Sequence, residues 1–259
     1  MEVKGKVIVV TGGASGIGEG LCRRFVQEGA RGVAVVDLDG EGANKVAADI
    51  GGLGLPCDVG REEDILRVVA KTEEELGPID MFCSNAGLAV PGGVEVSDED
   101  WQRHWQVHVM SHVYASRAVI PGMIERGGGY LLSTASAAGL LSQIGSMPYA
   151  TTKHAAVGLA ENLAITYGDR GIGVSVLCPG AVRTGMTRDG AAGAEEDGWL
   201  DPEDVADIVV AALAEERFLI LTHAVMKTYM GHKVSDYDRW IKGMKRLQRR
   251  LLAEGQTLS

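Results

Sequence analysis

Short apolar runs, separated by longer stretches with helical spacing, set the pattern of this chain. Runs at 6–11, 32–37, 53–59, 80–84, 130–134, 173–178 and 218–222 are largely Val, Ile, Leu and other apolar residues. Continuous apolar runs of this length read as strands buried on both faces. Between them, apolar positions recur every three or four residues. Ile17, Leu21 and Phe25 do so over 16–28, and Ile65, Val68, Val69 and Leu76 over 61–76. That spacing predicts amphipathic helices. Further helices are expected over 41–50, 97–124, 148–167 and 201–214. Ser97 fits an N-cap, with Asp98, Glu99 and Asp100 in the first turn, and Pro121 marks an end or kink of that helix. Asp201 fits a second N-cap, with Pro202 at the first helical position.

Strands and helices alternate throughout. The alternation predicts an α/β fold: a doubly wound, Rossmann-type, mostly seven-stranded parallel sheet with helices on both faces. In such sheets crossovers are right-handed, and ligands bind beyond the carboxyl ends of the strands, where strand order reverses. No repeat or second core interrupts the pattern, so a single domain is expected over 1–259, with a helical tail of different character from about 223. In the tail Trp240, Met244, Leu247 and Leu251 form an apolar stripe. Lys242, Lys245, Arg246, Arg249 and Arg250 form a basic face. Its own domain, a neighbouring subunit or an acidic surface can receive that stripe; packing on protein is the default over membrane contact. The Gly-, Ala- and acid-rich segment 188–198 lies between a strand end and a helix, where either a lid or an idle surface loop would sit.

Composition narrows the function classes. Apolar residues make up 46% and charged ones 23%, an ordinary globular balance. The net charge of −10 argues against a nucleic-acid partner, since duplex binders present a basic face. No apolar run reaches the roughly 18 residues that suggest a membrane span. The chain enters its first strand pattern without a secretion signal. Cys22, Cys57, Cys83 and Cys178 are scattered, with no C-x-x-C pair, as expected of buried reduced thiols in a cytoplasmic protein. His104, His108 and His112 recur every fourth residue. Such a stripe drifts about 40° per step, and no Cys or carboxylate nearby completes a ligand set, so no metal site is expected.

The candidate chemistry sits at the strand ends. Thr11-Gly12-Gly13-Ala14-Ser15-Gly16-Ile17-Gly18 follows the first strand and opens the first helix. Glycines allow a sharp turn and close approach of a ligand, and the helix N-terminus offers free N–H groups to a pyrophosphate. Gly12, Ser15, Gly16, Ile17 and Gly18 are the candidate contacts. Asp37 ends the second strand, where a carboxylate accepts the ribose hydroxyls of a dinucleotide and repels a 2′-phosphate. The next residue is Leu38 and not an Arg, which favours NAD over NADP. Tyr149 and Lys153 stand four apart on an expected helix, hence side by side on one face. A phenol titrates near ~10 in water, so ionisation near neutrality takes about 4 kcal/mol. A cation roughly 4 Å away supplies about that much at an effective dielectric near 20. By itself that spacing occurs on many helices.

Taken in order, these motifs resemble the short-chain dehydrogenase/reductase family in its shorter, single-domain branch, from about residue 6 to 218. Asp58-Val59 stands where the family touches adenine. Asn85-Ala86-Gly87 matches the family's N-A-G, with Ser84 in place of a commoner Asn. Ser136 lies thirteen residues before Tyr149, the family's spacing for its serine. Pro179, Gly180, Val182 and Thr184 match the P-G-x-V-x-T that flanks the nicotinamide. The resemblance implies that Tyr149 exchanges the substrate hydroxyl proton. It implies that Lys153 lowers the tyrosine pKa and holds the nicotinamide ribose, while Ser136 bonds the substrate oxygen. Thr184 and the backbone of Val182 would orient the carboxamide. A homo-oligomer, tetramer or dimer, is implied as well.

One position departs from the family. His108 stands where the family has a catalytic Asn at a helix distortion, which helps hold a proton-relay water. His108 is expected either to serve the relay, with a pH dependence Asn would lack, or only to pack there. The substrate pocket is expected to use Leu88, Ala89, Ala138, Leu140, Ile144, Met147, Ala181 and Met186, with Arg183 and Arg188 the charges at the rim. That lining suggests a small apolar secondary alcohol or ketone. The competing readings are a catalytically silent NAD-binding regulator or scaffold, and an isomerase or dehydratase on the same sheet.

Overall fold

A computed structural model describes residues 1–187 and 197–253. Seven strands form one sheet: β1 (Val7–Thr11), β2 (Gly32–Asp37), β3 (Leu53–Pro56), β4 (Met81–Ser84), β5 (Gly129–Thr134), β6 (Ile172–Cys178) and β7 (Leu219–Leu221). Their order is β3-β2-β1-β4-β5-β6-β7, and every pairing is parallel. The order reverses beside β1, whose neighbours are β2 and β4, and this opens a crevice at the carboxyl ends of β1 and β4. Side chains alternate between two cores. Val7, Val9, Ala34, Val36 and Val176 belong to one; Ile8, Val10, Val33, Val35 and Leu177 belong to the other. Burial on both faces is why the strands read as unbroken apolar runs.

The helices are α1 (Gly16–Gln27), α2 (Gly40–Ile50), α3 (Glu62–Glu75), α4 (Asp98–Trp105), α5 (Ser111–Glu125), α6 (Ala138–Leu141), α7 (Met147–Tyr167), α8 (Pro202–Ala214), α9 (Val225–Ser235) and α10 (Tyr237–Ala253). Both expected caps form. The Ser97 hydroxyl accepts the Asp100 N–H, and Asp201 and Asp204 make a reciprocal capping box at α8.

Three features differ from the sequence expectation. The helix over 97–124 is not continuous: Gln106–Met110 winds as a π turn between α4 and α5. Single π turns insert a residue into the helical register and commonly mark functional sites. Pro121 neither ends nor replaces the last turn, since α5 runs on to Glu125 with Pro121 on its exposed side. The third strand stops at Pro56 instead of 59, and residues 57–59 turn toward the crevice. Asp58 closes that turn by accepting the Gly60 N–H.

The tail forms α9 and α10. The apolar stripe faces the chain's own fold: Leu251 is buried, and Trp240, Met244 and Leu247 are half-buried. Lys233 of α9 donates to the Leu140 carbonyl at 2.5 Å. Among the described residues no helix is long and apolar enough to cross a membrane. The loop expected over 188–198, and Arg188 with it, falls for 188–196 outside the described residues. All four cysteines are buried free thiols.

Candidate active site

A cleft of about 700 Å³ lies across the carboxyl ends of the strands. Every residue assigned above to the dinucleotide lines it, from Gly12 and Asp37 through Asp58 and Asn85 to Thr184. Ser136, Tyr149 and Lys153 line it too. His108 does not; it lies fully buried.

The glycine loop can be made only by glycine at its crossing points. Gly12 has φ +68°, and a Cβ there would meet the Ala86 Cα at 2.9 Å. A Cβ on Gly18 would stand 1.9 Å from the Gly12 carbonyl oxygen, so helix α1 and the loop touch backbone to backbone. Ser15 is the N-cap of α1, yet its side chain makes no cap bond, which leaves the first-turn N–H groups open to the cleft. The Asp37 carboxylate accepts the Ala14 and Asp39 N–H groups, each at 3.0 Å, and so is fixed at the rim of the loop. A positive helix end bordered by a positioned carboxylate fits a pyrophosphate with a ribose beyond it.

A chain of hydrogen bonds ties the strand ends to α7. The Thr11 hydroxyl accepts the N–H groups of Asn85 and Ala86, and the Asn85 amide donates to the Thr11 carbonyl at 3.0 Å. Asn85 accepts the Thr134 hydroxyl at 3.0 Å, and Lys153 Nζ donates to the Thr134 carbonyl at 3.0 Å. Ser136 accepts the Ala138 N–H at 3.1 Å.

The electrostatics of the Tyr149–Lys153 pair differ from the expectation. Burial raises the Tyr149 pKa above its usual value, and the adjacent Ser136 hydroxyl offsets this only in part. The Lys153 Nζ stands 5.5 Å from the tyrosine ring centre and donates to the Thr134 carbonyl. Lys153 itself is the strained group. It is buried, and desolvation pulls its pKa from 10.5 down to about 8. The unfolded chain therefore binds more protons between those values, so stability rises with pH from about 8 to 10.5 and the full cost applies below pH 8. That gap corresponds to about 3 kcal/mol, set against a Thr134 carbonyl that would lose its donor. Lys153→Met is therefore expected to stabilise the fold by about 1–2 kcal/mol at pH 7, with the gain over the parent gone by about pH 9 and reversed near pH 10.5. Urea midpoints of both proteins across that range test it; a constant difference would remove the strain.

His108 is not a group that titrates near neutrality. Its Nε2 accepts the Leu88 N–H at 3.1 Å, which places its proton on Nδ1, donated to the Thr152 hydroxyl at 2.8 Å. Burial, reinforced by the Lys153 charge, lowers its pKa well below 6.5. The pH dependence expected of it is thus absent from this geometry, because both nitrogens are engaged and the charged form is desolvated. His104 is arranged likewise: Nε2 accepts the Val90 N–H at 3.3 Å, and Nδ1 donates to the Asp100 carbonyl at 2.7 Å. His112 is buried with both ring nitrogens unpartnered among the described residues, and burial pushes it down to about 3. Among the described residues no group of three or more His, Cys, Asp or Glu is placed to hold a metal ion.

The expected substrate lining is only partly gathered. Leu88 and Met186 line the cleft. Ile144 and Met147 border a second cavity of about 670 Å³, together with Glu95, His154 and Gln248. Ala89, Ala138, Leu140 and Ala181 line neither. Arg183 is exposed and paired with Asp201 at 3.1 Å. Arg103, Gln106 and Val107 line the cleft and were not anticipated. Gln106 and Val107 belong to the π turn, whose changed register leaves no trace in a helical repeat.

Residues 6–194 match the family model for short chain dehydrogenases. The chain is 34% identical to 1-deoxy-11-beta-hydroxypentalenate dehydrogenase of Streptomyces exfoliatus, over 93% of this chain and 91% of that one. It is 40% identical to 2,5-dichloro-2,5-cyclohexadiene-1,4-diol dehydrogenase of Sphingobium indicum, over 71% and 76%. A short chain dehydrogenase/reductase from Burkholderia phymatum, solved in complex with NAD, superposes with a TM-score of 0.82 at 27% identity, over 91% of this chain and 96% of that one. With the parallel sheet, the glycine loop and the Ser136, Tyr149 and Lys153 cluster, these likenesses show that the chain belongs to the short chain dehydrogenase family of oxidoreductases.

Proposed function

We propose that this chain is an NAD-dependent oxidoreductase that interconverts apolar secondary alcohols and ketones, with Tyr149 as the acid/base. The observation that carries this reading is the convergence of Tyr149, Ser136 and Lys153 at the cleft that also holds the glycine loop and Asp37. When bound, the dinucleotide supplies the hydride acceptor or donor. The chain's own residues do the rest. Gly12, Ser15, Gly16, Ile17 and Gly18 would cradle the pyrophosphate, Asp37 would accept the adenosine ribose hydroxyls, and Asp58 and Val59 would border the adenine. Lys153 would hold the nicotinamide ribose, and Thr184 with the Val182 backbone would orient the carboxamide. In the oxidation direction the carbinol carbon loses a hydride and the hydroxyl proton passes to the Tyr149 oxygen. Ser136 steadies the charge on the substrate oxygen.

Neutral Tyr149 is the form burial favours. It is ready to donate in the reduction direction, and oxidation calls for a rise in pH. NAD is supported by Asp37, by Leu38 after it and by the NAD complex of the Burkholderia phymatum relative. An alicyclic alcohol is supported by the ring compounds named in the Streptomyces and Sphingobium relatives. A single catalytic unit, assembled as a dimer or tetramer and working in the cytoplasm, completes the reading. The competing one, a silent NAD-binding regulator, is disfavoured because all three reacting side chains are present. A panel of secondary alcohols including cyclohexanol, each with NAD and with NADP, tests the choice through absorbance of the reduced cofactor. Binding of NAD without turnover of any alcohol would favour the regulator.

A further inference from the structure

We propose that His104 and His108 are a pair of positioning residues that hold the substrate-side wall, residues 88–90, at a fixed distance from Tyr149. This rests on the reading of the cleft given above. The two rings stand one turn apart, one on α4 and one in the π turn, with centroids 5.4 Å apart. Each presents Nε2 to a backbone N–H of the wall: His108 to Leu88 at 3.1 Å and His104 to Val90 at 3.3 Å. One helical turn rises about 5.4 Å, and two residues of extended chain advance about 6.6 Å. The near match lets two imidazoles zip onto alternate amides. Each ring is locked from behind by its Nδ1–H, given to the Asp100 carbonyl by His104 and to Thr152 by His108.

The far side of the wall is pinned as well. The Ser146 hydroxyl donates to the Val90 carbonyl at 2.7 Å, and the Gly92 N–H to the Gly145 carbonyl at 2.8 Å. The His108 ring also joins the wall to the reacting helix. Thr152, which accepts its proton, donates in turn to the carbonyl of Pro148, the residue before Tyr149. The His108 ring stands edge-on to the Tyr149 ring, with centroids 5.4 Å apart at 89°. One side chain thereby sets the spacing between Leu88, which lines the cleft, and the phenol. Side chains without an acceptor at 104 or 108 leave the Leu88 or Val90 N–H unpaired, and the wall then shifts to find another partner.

The test has a readout independent of turnover. In the unliganded protein the Leu88 and Val90 amides are expected to exchange slowly with deuterium. His108→Leu should speed exchange at Leu88 by about tenfold or more, and His104→Leu at Val90. Gln at either position places an amide oxygen near the lost acceptor and should restore protection. With cyclohexanol and NAD, the Leu variants should raise KM about tenfold, while the dissociation constant of NAD, measured by fluorescence, stays unchanged. Fast exchange at both amides in the parent would overturn the proposal. So would Leu variants that unfold more easily yet keep both amides protected and KM unchanged, since the rings would then only fill space. If the parent turns over no alcohol, the proposed function fails, and the exchange result still decides whether the clamp exists.

Discussion

Tyr149→Phe should lower kcat by about 10³-fold or more while leaving the affinity for NAD within about twofold. The phenol oxygen is the one atom removed, and it is the atom proposed to exchange the substrate proton. The ring that packs edge-on against His108 stays in place, so the fold has no reason to change. A pH profile of the parent adds a sign. Burial raises the Tyr149 pKa, so the protonated form dominates at neutral pH and the phenolate grows as pH climbs. Alcohol oxidation should therefore accelerate with pH, whereas ketone reduction should not. Steady-state rates in both directions, with NAD binding followed by fluorescence, check both statements. A Phe variant retaining a tenth of parental kcat would exclude Tyr149 as the proton carrier.

Replacing Asp37 with Ser and Leu38 with Arg together should shift cofactor preference toward NADP by about 100-fold in the ratio of kcat/KM values. A 2′-phosphate brought near the Asp37 carboxylate meets like charge at a half-buried site. That repulsion is worth roughly 1–3 kcal/mol after screening. Removing it and adding a guanidinium changes the ratio from both sides. Ser at 37 keeps an acceptor for the Ala14 or Asp39 N–H, both of which Asp37 now holds, so the loop retains part of its support. Kinetics with both cofactors on one alcohol measure the ratio. A ratio left unmoved by the exchange would mean that recognition of the ribose lies elsewhere in the cleft.

The parts of this site that were legible beforehand are those that a motif carries locally. Gly18 reads as glycine in a loop before a helix, and the structure supplies the reason: a Cβ would collide with the Gly12 carbonyl. Lys153 four residues after Tyr149 reads as a shared helix face, and both side chains do reach the cleft. Less legible was what those side chains would touch. Lys153 turns to the Thr134 carbonyl, a backbone group with no identity in the sequence. His108 spends its nitrogens on Leu88 and Thr152, twenty and forty-four residues away along the chain. The substrate lining fared worst. Ile144 and Met147 read as apolar neighbours of the site but border a second cavity. Short apolar positions in irregular loops carry no period that says which way they point.

The sequence by itself determined the seven parallel strands, the helices over them, the glycine cradle with Asp37 beyond it, and the spacing of Ser136, Tyr149 and Lys153. The strands, the helices, the cradle and the Tyr149–Lys153 spacing follow from periodicity and short-range backbone geometry, which neighbouring residues specify among themselves, while Ser136 was named by the family resemblance. Only the tertiary structure decided that the long helix would break into a π turn, that two imidazoles would clasp the Leu88–Val90 wall, and that the phenol would be raised and the ammonium lowered. Those outcomes depend on desolvation and on distances between segments far apart in the chain, and both quantities come into being only when the core closes around them.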